Sequence, residues 1–194
     1  MRANSFGTNI TITTFGESHG PAVGVVVDGL KPGIPIDADF IARELARRRP
    51  GKGPHASTRH EDDTPHILSG VFEGKTLGTP LTIVIYNKDS RGEDYEHLAH
   101  IFRPGHGDFS WNRRYGLRDW RGGGRSSGRE SAARVAAGAI AKSIIMERGI
   151  TIKGYTVAIG GIRATTRDME AVGTSRFDFC DATREAEIEN LLTD

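Results

Sequence analysis

GGGRSSGRESAARVAAGAIAKSIIMERG, residues Gly122 to Gly149, is the stretch on which the reading of this chain turns. From Ser126 to Arg148 it is rich in Ala and carries Ile140, Ile144 and Ile145, a pattern that predicts one long helix. Ser126 or Ser127 offers an N-cap hydroxyl, and Gly149 is the residue type that stops a helix. The small side chains predict tight packing against a sheet or another helix. Ahead of the helix, Gly122-Gly123-Gly124 lets backbone N–H groups come close to a ligand, and a helix start carries roughly half a positive charge. Arg125, Ser127 and Arg129 add donors, so the segment describes an anion site. It is not a Walker loop, because the Gly-Lys-Ser/Thr ending is absent. A Gly turn with a capping Ser and exposed Arg side chains is the plainer alternative.

Upstream, Ile10, Ile12 and Thr14 alternate with polar neighbours and predict a half-buried strand. Val23 to Val27, closed by Asp28-Gly29, predicts a second strand paired with it. A helix is expected after Pro35, with Asp37 or Asp39 as N-cap, Ile41 and Leu45 on its buried face, and Pro50-Gly51 at its end. Residues Gly51 to Thr64 lack periodicity and read as a mobile loop. Val71-Phe72 and Leu81 to Tyr86 are strand candidates separated by a Gly-rich turn. Asn87 to Arg125 is long and weakly periodic, which in a compact domain points to function or disorder. Its aromatics (Tyr95, Phe102, Phe109, Trp111, Tyr115 and Trp120) favour order. Downstream, Ile150 to Ile159 reads as a strand and Thr183 to Leu192 as the start of a helix.

Composition sets the broad class. Of 194 residues 37% are hydrophobic and 26% charged, and the net charge is +1, as for an ordinary globular protein. Apolar runs are far shorter than the roughly 20 residues a membrane span needs, so no membrane is expected. Residues Met1 to Phe15 carry neither a signal-peptide core nor a transit pattern, and cytoplasmic location is the default. Cys180, the one cysteine, excludes an internal disulfide and reads as a small buried hydrophobe beside Phe177 and Phe179. Gly, at 25 residues, exceeds the roughly 7% average and implies many special backbone positions. Arg clusters at Arg43, Arg47, Arg48, Arg49 and Arg59, and again from Arg103 to Arg129. Its planar fork favours geometric recognition of phosphate or carboxylate. A nucleic-acid module is disfavoured by the net charge and by the absence of any usual nucleic-acid fold.

Two histidines sit in tight turns. Gly16-Glu17-Ser18-His19-Gly20 places His19 at a strand end, where it can act as an acid or base or serve structure alone. Arg103-Pro104-Gly105-His106-Gly107-Asp108 repeats the arrangement, with Asp108 either orienting the imidazole or closing a turn. Arg47-Arg48-Arg49 with Lys52 and Arg59 could bind phosphate or solvate a helix end. Glu61-Asp62-Asp63 reads as a solvated acidic turn, with divalent-ion binding as the alternative. His97 and His100 are spaced by three, but no Cys or carboxylate set completes a metal site, and none is expected.

Together these motifs resemble the chorismate synthase family. Thr14-Phe15-Gly16-Glu17-Ser18-His19-Gly20 with Val23 to Gly29 is similar to its first signature, and Gly122 to Ala139 to its second. Between them, Arg48-Arg49-Pro50-Gly51, Ser69-Gly70-Val71-Phe72, Arg103-Pro104-Gly105-His106 and Tyr115-Gly116-Leu117-Arg118-Asp119 follow the family order. The similarity runs from about residue 4 to residue 160. It implies an α+β fold, the β-α-β sandwich of that family, with residues 1–194 as the N-terminal portion of a single domain. It also implies the reduced-FMN-dependent anti-1,4-elimination of phosphate from 5-enolpyruvylshikimate-3-phosphate, giving chorismate, by a homotetramer. His19 matches the acid for the departing phosphate and His106 the acid for the reduced flavin. Arg48, Arg59, Ser127 and Arg129 match substrate-binding positions. Arg103, His106, Arg125, Ser126 and Ser127 lie on the flavin side. Gly107 and Gly128 stand where the family often has Ala. Family members are nearly twice as long, and the remaining part carries a third signature with an Arg-Asp pair implicated in deprotonation. A fragment is therefore expected, with a catalytically incompetent FMN- or phosphate-binding portion as the alternative to an enzyme. Whether an outside reductase or an NADPH-dependent activity of its own would reduce the flavin stays open.

Overall fold

The two predicted N-terminal strands form and pair. In the computed structural model, which describes residues 4–49, 61–89 and 92–193, β1 (Ser5–Gly7), β2 (Thr11–Gly16) and β3 (Ala22–Asp28) run antiparallel in succession. The chain divides into two compact units, which among the described residues are 4–49 with 61–149, and 150–193.

In the first unit α1 (Ala38–Arg48) follows, then β4 (His66–Ser69), the short hairpin β5 (Val71–Phe72) and β6 (Lys75–Thr76), and β7 (Leu81–Tyr86). One five-stranded antiparallel sheet results, in the order β1-β2-β3-β7-β4. Register places Val23 opposite Ile85, Val25 opposite Ile83 and Val27 opposite Leu81. Because side chains alternate along a strand, all six share one face, and all are buried. Each contributes roughly 1.5–3 kcal/mol of burial. Thr14 and Ile12 extend the same face through their pairing with Val25 and Val27.

Two helices cover that face. α1 begins at Asp37, whose carboxylate accepts from Phe40 N–H at 2.9 Å, and buries Ile41 and Leu45 as expected. Arg47 and Arg48 occupy its last turn, where cations complement the helix dipole. Pro50-Gly51 and most of the expected 51–64 loop lie outside the described residues. α3 (Ser131–Met146) packs against α1 and the sheet through Ala132, Ala133, Ala136, Ala137 and Ile140, each at most 2% exposed. The absence of bulk on this stripe is what permits the close approach. Lys142 Nζ to Glu44 Oε1, 2.8 Å, ties the two helices.

Several expectations need correcting. α3 starts at Ser131 rather than Ser126, because Ser127 caps a separate 3-10 turn, Gly128–Glu130, by accepting from Arg129 N–H. The weakly periodic region holds a 3-10 segment (Gly92–Leu98) and α2 (Asp108–Tyr115), both missed by periodicity. β4 and β6 were also missed, being only four and two residues long.

The second unit carries no strand over 150–157. It has instead the hairpin β8 (Ala158–Ile159) and β9 (Ile162–Arg163), turned by Gly160 and Gly161 at positive φ. α4 (Ala171–Thr174) and α5 (Glu185–Thr193) follow, the latter close to the expected helix. Asp181 organises this unit. Its carboxylate accepts from the hydroxyls of Thr183 and Thr165 and from the N–H groups of Thr165, Thr166 and Thr183. Those donors, Thr183 foremost, hold it far below the usual carboxylate range. Cys180 is fully buried beside Phe179, as its sequence context implied. No helix among the described residues is long and apolar enough to cross a membrane.

Candidate functional site

His19 sits in the five-residue connection between β2 and β3. Gly16, at φ 89°, ends β2, and a side chain there would overlap the Ala22 carbonyl. The loop closes on itself through Gly20 N–H to Glu17 O at 3.1 Å. Ser18 N–H donates to Gly124 O at 3.2 Å, fastening the loop to the glycine run. The imidazole meets Tyr95 edge-on, with centroids 5.0 Å apart.

The glycine run explains its own composition. Gly122, Gly123 and Gly124 have φ of 55°, 86° and 50°, three successive residues in a region closed to most side chains. A Cβ on Gly122 would overlap the His19 ring. One on Gly123 would stand 3.6 Å from Arg103 Nη2, 3.9 Å from His106 Cδ2 and 4.0 Å from Ser127 Cβ. His19 and His106 therefore border two adjacent residues, whose Cα atoms are about 3.8 Å apart. Ser126 Oγ lies 2.9 Å from where a Cβ on Gly107 would be, joining the His106 turn to the same run.

Asp108 does not orient His106. Its carboxylate accepts from Arg103 N–H and Nε at 3.1 Å each and faces Arg118 Nη1 at 3.6 Å. Burial works to raise the Asp108 carboxyl, but the Arg103 bonds and the two guanidinium charges prevail and hold it below its ordinary value. His106 Nδ1 donates instead to Pro104 O at 3.0 Å, which leaves Nε2 as the ring nitrogen open to exchange a proton with a ligand. Near His19, Asp119 grips Arg121 with both oxygens at 2.9 Å. Burial again opposes ionisation there. The Arg121 bonds, with a smaller effect of His19, hold the carboxyl low.

The supposed solvated acidic turn is a buried anchor. Asp63 is 2% exposed and pairs with Arg129 on one side and, at 3.2 Å, with Arg48 on the other. Only Asp62 is exposed, paired with Lys88. Arg129, 5% exposed, also donates from Nε to Asn87 Oδ1 at 2.9 Å. Arg125 donates to Gly16 O at 2.9 Å and Thr14 Oγ1 at 2.7 Å and faces Glu130 at 3.4 Å. Arg59 lies outside the described residues. The structure thus gathers His19, Arg103, His106 and Ser127 around Gly122 and Gly123. It pairs Arg48 with Arg129 through Asp63, and turns Arg125 into a brace between β2 and the start of α3. No role in the site was read from the sequence for Asp63, Asn87, Tyr95, Asp119 or Glu130. Except for Asp119, which grips Arg121 two positions on, their roles arise from contacts across tens of residues that no local pattern records. Among the described residues, no cluster of His, Cys, Asp or Glu could hold a metal ion.

Beside this constellation opens a cleft of about 1000 Å³, bordered by Phe15, Glu17, Trp111, Trp120, Gly123 and Arg125. A family model described as chorismate synthase matches residues 10–194, well past the point where the motifs alone fade. The chain belongs to the chorismate synthase family. It is 53% identical over 192 residues to the chorismate synthase of Syntrophobacter fumaroxidans (strain DSM 10017 / MPOB), covering 99% of this chain and 54% of that protein. The chorismate synthase of Desulfosudis oleivorans (strain DSM 6200 / JCM 39069 / Hxd3) is 50% identical over 194 residues, 100% of this chain and 55% of the relative. Among solved structures, a crystal structure of chorismate synthase superposes with a TM-score of 0.70 at 27% identity, covering 95% of this chain and 53% of the other. The chain spans about half the length of the curated relatives it matches. The chorismate synthase fold expected from the motifs is the one found.

Proposed function

We propose that residues 1–194 supply the two proton donors and most of the anion-binding residues of a chorismate synthase. The activity is the anti-1,4-elimination of phosphate from 5-enolpyruvylshikimate-3-phosphate, a lyase step of the shikimate pathway toward aromatic amino acids. What carries the reading is the convergence of His19 and His106 on adjacent glycines beside Arg103.

In this scheme His19 donates a proton to the departing phosphate, and Arg48, Arg59, Ser127 and Arg129 fix the anionic substrate. Preset cations lower the cost of charge that builds on a leaving group. The residues present fit a phosphorylated flavin: three left-handed glycines leave a cradle that a Cβ would fill, and Arg103 and Ser127 border it. Arg103, His106, Arg125, Ser126 and Ser127 would hold the cofactor, with His106 Nε2 as the proton-carrying atom toward it. Reduced FMN held by these residues would supply a transient electron in a reaction without net redox change. A homotetramer in the cytoplasm completes the proposal.

The test is phosphate and chorismate formation under anaerobic conditions with dithionite-reduced FMN. Two polypeptides are compared: this chain, and a chimaera in which it replaces the matching part of the Syntrophobacter fumaroxidans relative. The chimaera is expected to turn over, and His19→Ala or His106→Ala to slow it by about 100-fold or more. Flavin binding without turnover by the chain alone supports the binding-portion reading for that chain. A folded, flavin-binding chimaera indifferent to both substitutions overturns the assignment.

A further inference from the structure

We infer that Asn87 is a positioning residue for His19, one that joins the proton donor's loop to the Arg129 anion site. The inference rests on the proposed role of His19.

Asn87 directly follows β7, beside the β2–β3 connection, because Ala22 pairs with Tyr86. Its Nδ2 donates to Glu17 O at 3.1 Å and to Gly20 O at 2.7 Å. Those two carbonyls bracket Ser18 and His19. Its backbone N–H donates to Pro21 O at 3.0 Å, fixing the loop's exit as well. On the other side Oδ1 accepts from Arg129 Nε at 2.9 Å. The amide can face only one way. A guanidinium offers donors alone, so the oxygen must meet Arg129, and the nitrogen must meet the carbonyls. One half-buried side chain therefore holds both ends of the turn that carries His19 and reads the position of Arg129 at the same time. Arg129 is in turn held by Asp63, which also pairs with Arg48. A shift of the guanidinium at the anion site is transmitted through one planar amide to the loop of the acid.

Asn87→Asp separates the two halves of this role. It keeps an acceptor for Arg129 and has nothing to donate to Glu17 O and Gly20 O. In this chain, amide hydrogen exchange at Ser18, His19 and Gly20 should speed up by about tenfold or more with the unfolding midpoint little changed, as for local opening. In whichever polypeptide turns over, kcat should fall by about 100-fold while KM stays within about threefold, because a small misplacement of the reacting group costs rate rather than binding. Added to His19→Ala, the substitution should cost nothing further. Unchanged exchange overturns the clamp. Faster exchange with a full, additive loss in the His19→Ala background overturns the positioning role. A His19→Ala variant as active as its parent defeats instead the function on which the inference rests.

Discussion

Asp63 and Arg129 meet inside the first unit with side chains 0% and 3% exposed, 66 positions apart in sequence. The pair is shared, since Arg48 approaches the second Asp63 oxygen at 3.2 Å. Two arginines of the candidate anion site are therefore aimed by one buried carboxylate. Asp63→Asn leaves two guanidinium groups around a neutral amide, and breaking a buried pair from one side costs about 3–5 kcal/mol. Urea unfolding should show a lower midpoint at unchanged slope.

Gly122 and Gly128 should respond oppositely to alanine. At Gly122 the φ of 55° is unfavourable for an L-residue by about 1–2 kcal/mol, and the new methyl would push the His19 ring away. At Gly128 nothing lies within 4 Å and φ is ordinary, so Gly128→Ala should stabilise by up to about 1 kcal/mol. Thermal unfolding gives the sign. The His19 ring signals in NMR spectra should move for the first substitution and stay for the second.

Acid should reveal the Arg103–Asp108 contact. A carboxyl held low in the folded state adds stability that is complete above its unfolded value, about 3.9, and is lost as pH falls through the lower folded value. The stability gap between the chain and Asp108→Asn is therefore expected to be constant from pH 5 to 7 and to narrow below about pH 4. Denaturant titrations across that range measure it. A gap that widens on acidification contradicts the sign.

Arg125→Lys should weaken the first unit without changing net charge. A single ammonium cannot reproduce the fork that reaches Gly16 O and Thr14 Oγ1 together. The expected loss is about 2–3 kcal/mol. Exchange at the Ser18 amide, bonded to the neighbouring Gly124 carbonyl, should accelerate with it.

What could be read in advance follows from the range of the forces involved. α1 was legible because an Asp37 cap and the Ile41–Leu45 spacing act within two turns. β3 was legible because four valines from Val23 to Val27 carry the β-branched pattern themselves. The start of α3 misled, since a Ser before a helix and a Ser before a 3-10 turn look alike in one dimension. Ile150 to Ile159 has strand composition, but among the described residues 150–157 gain one isolated bridge, Thr156 with Phe179, and only Ala158–Ile159 pairs as β8, since strand formation depends on a partner. For the site, His19, His106 and the glycines announced themselves through turn chemistry. Asp63 did not. Three acids in a row look solvated until Arg48 and Arg129 arrive from elsewhere.

The Thr14 hydroxyl donates to Glu130 Oε1 at 2.8 Å across 116 positions, alongside the Arg125 brace. At roughly 5–20 residues per second, a ribosome needs about 6 to 23 s to make the chain between them. For the later part of that interval the β2–β3 hairpin has been made while the wall that will border His19 does not exist. The nascent chain thus passes through a stage with its proton donor made but unhoused, and vectorial synthesis makes the closing of that wall a late folding event.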